Sequence, residues 1–145
     1  MKKFVAVVLC AATLSFALPA AAQDYPVKSG QYWDVTAVSI DDGHAGDYVQ
    51  FLTTKWRKQQ EWAKSKGYIS GYHILANNYK RAGEPDIYLV NIYDHVPTVA
   101  ESEARDAEYK KVMTTDDTRQ SAESAERAKF RHIGDSMQLQ EILLK

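Results

Sequence analysis

The most constraining stretch of this chain is residues 86–96, DIYLVNIYDHV, which is apolar at both parities. Drawn out as a strand, it carries Ile87, Leu89, Asn91 and Tyr93 on one side. Tyr88, Val90, Ile92 and Asp94 fall on the other. Residues 68–78, YISGYHILANN, behave alike, with Ile69, His73 and Leu75 opposed to Tyr72, Ile74 and Ala76. A strand with one wet face alternates apolar and polar residues. These two do not, so a sheet built from them needs a cover on each face.

The remaining segments say what the first cover is. Residues 32–40, YWDVTAVSI, read as a strand ended by Asp41, Asp42 and Gly43. Residues 44–66 read as a helix. At about 100° per residue, Tyr48, Val49, Phe51, Leu52, Trp56, Trp62 and Ala63 share one stripe roughly 160° wide, and Gln60 lies outside it. Gly67 supplies the helix stop. Pro97 ends the central strand, and Thr98 with Glu101 forms the T-x-x-E box that opens a second helix running to about Met113, with Ala100, Ala104 and Ala107 as its stripe. Residues 114–118 interrupt it. Asp117 opens a further helical stretch to about Arg131, built on Ala122 and Ala125. Gly134 and Asp135 read as a turn, and residues 137–144, MQLQEILL, as the last strand. The order β-α-β-β-α-β predicts an α+β, ferredoxin-like domain: a four-stranded antiparallel sheet with helices on one face.

Residues 1–22 read as an address. Lys2 and Lys3 precede an apolar run that ends at Leu18, and Pro19 and Ala20–Ala22 supply a small-residue cleavage site. Export to a bacterial periplasm or medium is the expectation. Residues 23–31 then form a flexible arm, and residues 32–145 the single domain. Cleavage removes Cys10, the sole cysteine, so no disulfide or thiolate metal site is expected. It also removes Lys2 and Lys3, leaving sixteen basic against nineteen acidic residues. That balance argues against nucleic acid or an anionic membrane as a partner.

Two helices cover one face of the sheet only. The simplest cover for the other face is a second copy, so a homodimer is expected. With its element order, its Trp-bearing first helix and its Tyr-rich third strand, the chain resembles the dimeric α/β-barrel superfamily. That group includes antibiotic-biosynthesis-monooxygenase, EthD-like and NIPSNAP-like domains and haem-handling relatives. The resemblance spans residues 32–144 and implies two sheets packed face to face as a barrel.

No metal spacing, P-loop, G-x-G-x-x-G or G-x-S-x-G motif is present, so neither metal nor cofactor is expected. His44, His73, His95 and His132 are far apart in sequence. If residues of the two central strands whose numbers sum to about 164 face each other, His73 meets Asn91. That pair in an apolar cavity could orient a ligand or move a proton. Trp33 and Tyr93 are candidate walls, and Lys55 and Gln59, which fall inside the helical stripe, are candidate ligand-binding residues. The leading expectation is a binding module for a small apolar or aromatic molecule. Alternatives are a cofactor-free monooxygenase or isomerase of the kind the resemblance implies, an accessory protein, and a haem binder.

Overall fold

A computed structural model describes residues 25–145; the expected leader and the first residues of the arm lie outside the described residues. Four strands, β1 (Val27–Ile40), β2 (Gly71–Ala76), β3 (Ile87–Tyr93) and β4 (Arg131–Leu144), form one antiparallel sheet in the order β2-β3-β1-β4. The helices are α1 (Ala45–Phe51), a π-helical turn (Leu52–Trp56) running on into α2 (Arg57–Ser65), then α3 (Val99–Met113) and α4 (Asp117–Arg127). This α+β arrangement is consistent with a ferredoxin-like fold. Among the described residues no helix is long and apolar enough to cross a membrane.

The register divides the strand residues between two faces. Val38, Ile87 and Leu89 share the helix face, where they pack with Tyr48, Leu52 and Trp56 in the main core. Tyr48 is 1% exposed and Val38 fully buried. The other face carries a second cluster, Val35, Val90 and Ile92, flanked by Trp33 and Tyr88. Val90 is buried within this cluster, yet Leu75, Met137 and Leu139 on the same face are each about half exposed.

The first helix departs from a regular spiral, and its buried side corrects the expected stripe. Its buried residues are Tyr48, Leu52, Trp56 and Gln60, four apart each time. A regular helix at about 3.6 residues per turn would rotate such a series steadily off the sheet. The wider π turn takes up that drift. Thr53 and Thr54 mark it, their hydroxyls donating to the carbonyls of Val49 (2.9 Å) and Gln50 (2.6 Å). Consequently Gln60 is buried; Val49, which precedes the turn, is exposed.

The later helices also turn other faces inward than their alanines mark. Ala100, Ala104, Ala107, Ala122 and Ala125 are all exposed. The partly buried positions are Glu101, Arg105, Glu108, Tyr109, Lys110 and Met113 in α3 and Gln120, Glu123 and Arg127 in α4. Long amphipathic side chains cover more of the helix beneath than an alanine can. The Thr98–Glu101 capping box opens α3 as its spacing predicts. Asp116, not Asp117, caps α4 by accepting from the Arg119 amide at 2.8 Å.

Two ends differ from the sequence reading for one reason: β-bulges. Gly134 and Asp135 make no turn. They stand opposite Ala37 alone, between the pairs Thr36–Ser136 and Val38–Ile133, so β4 begins at Arg131. A second bulge sets Gly30 and Gln31 against Glu141. A Cβ on Gly30 would stand 2.9 Å from that of Glu141. Beyond this bulge Val27, Lys28 and Ser29 pair with Leu144, Leu143 and Ile142, so most of the described part of the expected arm is strand.

Candidate functional site

One row of side chains crosses the helix face of the whole sheet. Tyr72 of β2 stands opposite Asn91 of β3, Asn91 opposite Asp34 of β1, and Asp34 opposite Gln138 of β4. The next row places Tyr93 opposite Tyr32, with their rings stacked at 6.1 Å. Gln138 Nε2 donates both to Asp34 Oδ1 (3.1 Å) and to the Tyr93 hydroxyl (2.7 Å). Burial and hydrogen bonding to the Asp34 carboxylate push the Tyr93 hydroxyl up to about 12. At neutral pH this phenol is therefore a fixed hydrogen-bond donor, not a base.

Above these rows lies a cavity of about 320 Å³ between the sheet and the helices. Asp34, Asn91 and Tyr93 form its floor. Gln59, Trp62 and Ala63 of α2, Arg105, Asp106 and Tyr109 of α3, and Gln120 of α4 form its roof and walls. Tyr68, Ile69 and Pro97 complete it from the connecting segments. Trp62 packs against both Tyr68 and Tyr109 with ring centroids 5.5 Å apart, giving an aromatic wall. That wall is anchored below α3: the Tyr68 hydroxyl donates to Glu108, which also binds Lys66 at 2.6 Å. Burial, with Glu123 nearby, pushes the Tyr109 hydroxyl upward.

Three of the lining residues each carry a buried polar atom with no hydrogen-bond partner among the described residues: Trp62 Nε1, Asn91 Oδ1 and Gln120 Nε2. Buried polar groups are nearly always paired, and each unpaired one costs about 1–3 kcal/mol. Trp33, Arg127 and Arg131 carry the other three such atoms among the described residues, so half of them surround this cavity.

The expected His73–Asn91 pair does not exist. Asn91 faces Tyr72, and His73 faces Val90 on the opposite side of the sheet. The numbers of facing residues sum to 163, one less than expected, and a one-residue difference exchanges the faces. His73 is exposed on the open face, where its ring lies 6.1 Å from that of Trp33. Trp33 is thus no wall of the cavity. Lys55 is also outside it, paired with Glu123 of α4 at 2.9 Å. Of the expected site residues, Asn91, Gln59 and Tyr93 line the cavity.

The other histidines form separate exposed contacts: His44 with Asp47 (2.7 Å), His95 with Glu101 (3.2 Å) and His132 with Asp41 (3.0 Å). Among the described residues no group of three or more His, Cys, Asp or Glu could hold a metal ion. The basic residues Arg127, Lys129 and Arg131 are split between elements, Arg127 ending α4 and Arg131 opening β4. Only Lys129 is exposed, and Arg131 is 7% exposed with its Nε unpartnered.

Sequence reasoning missed Asp34, Arg105, Tyr109, Gln120 and Gln138. Asp34 had a usable signal, since it shares parity with Tyr32, Thr36 and Val38 in a strand otherwise poor in charge. The helix-borne residues had none, because nothing in their spacing says which side of a polar helix turns inward. No family model matches the chain, and no curated protein or solved structure matches it.

Proposed function

We propose that this protein binds a small aromatic molecule in the cavity between the sheet and the helices. The observation that carries this reading is the aromatic-walled cavity itself, ringed by three residues whose buried polar atoms have no partner among the described residues. The volume, about 320 Å³, lies at the small end of ligand sites, which run from about 300 to 1,000 Å³. It admits a single-ring compound. A titration with single-ring aromatic fragments, followed through the Trp62 indole, tests the reading; no perturbation of that indole by any fragment rejects it.

The protein works as a homodimer in this proposal, with a second copy covering the open face so that two sheets face each other in a barrel. What supports this is the apolar surface there. Leu75, Met137 and Leu139 are exposed on that face, Leu139 directly opposite Trp33, whose Nε1 is buried without an acceptor. An exposed apolar face of this kind is a cost in a lone monomer. The cavity lies on the helix side, so each protomer would carry its own site. Export to the periplasm or medium accompanies this reading and rests on the leader pattern of residues 1–22.

Cofactor-free catalysis is the second reading. It cannot use His73. Asp34 is the carboxylate on the cavity floor, beside the firmly protonated Tyr93, and it is the group that would accept a proton there. Oxygen consumption or isomerisation of a bound aromatic, lost in Asp34→Asn with binding retained, would favour catalysis over binding alone.

A further inference from the structure

The two sides of the cavity differ in hydrogen-bonding character. The sheet side carries the Asp34 carboxylate and the Asn91 amide. The helix side carries the Arg105 guanidinium, with Trp62 Nε1 and Gln120 Nε2 buried in the same wall without partners. Arg105 is partly buried and has no carboxylate within ion-pair distance among the described residues. Its contacts are both with Tyr68: the ring, 4.7 Å from the guanidinium carbon, and the carbonyl, 3.5 Å from Nη1. The other charges at the cavity leave this cation uncompensated. Asp106 is bound by Lys110 at 2.6 Å, and Asp34 is engaged by Gln138 and Tyr93 on the sheet.

A guanidinium lacking a counter-ion in an aromatic-walled cavity is a receptor for an anionic oxygen group. On the opposite wall the Asn91 amide beside the Asp34 carboxylate is a receptor for a hydroxyl. We infer that the ligand is a single-ring aromatic hydroxy acid, its carboxylate toward Arg105 and its hydroxyl toward Asn91. The inference rests on the proposed aromatic binding and names the class of molecule bound.

Calorimetric titration of the protein with 4-hydroxybenzoate, its uncharged analogue 4-hydroxybenzamide, and benzoate tests it. The acid is expected to bind at least tenfold tighter than the amide and several-fold tighter than benzoate. In Arg105→Met the acid should lose that advantage while the amide keeps its affinity within about twofold; Arg105→Lys, which keeps the charge, should recover part of it. Asn91→Leu should bring 4-hydroxybenzoate down to the affinity of benzoate. If the amide binds as tightly as the acid, the hydroxy-acid assignment is overturned while the aromatic site stands. If none of the three binds, both fall together.

Discussion

His73 and Asn91 stand on opposite faces of the sheet, although they lie on adjacent strands at nearly matching height. Tyr72 takes the place opposite Asn91, and Val90 the place opposite His73. This separation puts Asn91 into the cavity with Asp34 and leaves His73 on the open face with Trp33. It therefore decides which polar groups can act on one ligand. Replacing His73 by alanine should leave ligand binding unchanged, whereas Asn91→Leu should weaken it.

Tyr93 makes the polar floor measurable by pH. Its hydroxyl is raised from about 10 to about 12, so the neutral phenol is favoured by folding. The corresponding stability is fully present below about pH 10 and is lost as pH rises through about 12. Ultraviolet titration of tyrosinate should show one tyrosine ionising near 12 that is missing in Tyr93→Phe. If the variant retains the full late-titrating amplitude, the Tyr93–Asp34 arrangement is wrong.

The start of α3 gives a second pH signature of opposite sign. Hydrogen bonds from the Thr98 backbone and side chain, and then from His95, hold the Glu101 carboxyl down to about 2. Its contribution is present above about pH 4.5 and is lost as pH falls through about 2. Thr98→Ala should lower stability by about 1 kcal/mol at neutral pH. It should also move the Glu101 titration, read by carbon-detected NMR, upward toward the ordinary glutamate range.

Leu52 sits where the π turn meets the sheet, 6% exposed beside Val38, Tyr48 and Trp56. Leu52→Ala should cost about 2–5 kcal/mol. Urea unfolding should show a lower midpoint at unchanged slope. A loss below about 1 kcal/mol would mean that the helix does not seat on the sheet through this turn.

The open face predicts the assembly. Leu139→Arg places a charge among Trp33, Val35 and Met137 without touching the helix side. Light scattering should report a dimer for the natural protein and a monomer for the variant. A natural protein that is monomeric at micromolar concentration would remove the second copy from the account.

The parts of this fold that were legible in sequence are those set by local chemistry. Thr98 and Glu101 announce a helix start by themselves, and Gly67, at a backbone φ of 71°, announces a stop. The element order and the apolar strands also carried the sheet and its uncovered face. What stayed hidden depended on partners distant in the chain. The bulge at Gly134–Asp135 looks like a turn until Ala37 lies across from it. Gln60 looks exposed until the π turn rotates it inward. Only a small part of the cavity was legible, through Asn91, Gln59 and Tyr93. Arg105, Tyr109 and Gln120 were not, since a polar helix over a polar cavity shows no stripe.

The most direct measurement is a nitrogen-15 correlation spectrum of the protein titrated with single-ring aromatic compounds. Its two informative indole signals are Trp62, in the cavity, and Trp33, on the other face of the sheet. Binding in the cavity predicts saturable shifts of the Trp62 indole and of the Asn91 and Gln120 side-chain amides, with the Trp33 indole unmoved. Shifts confined to Trp33, or no shift at Trp62 with any compound, would contradict it.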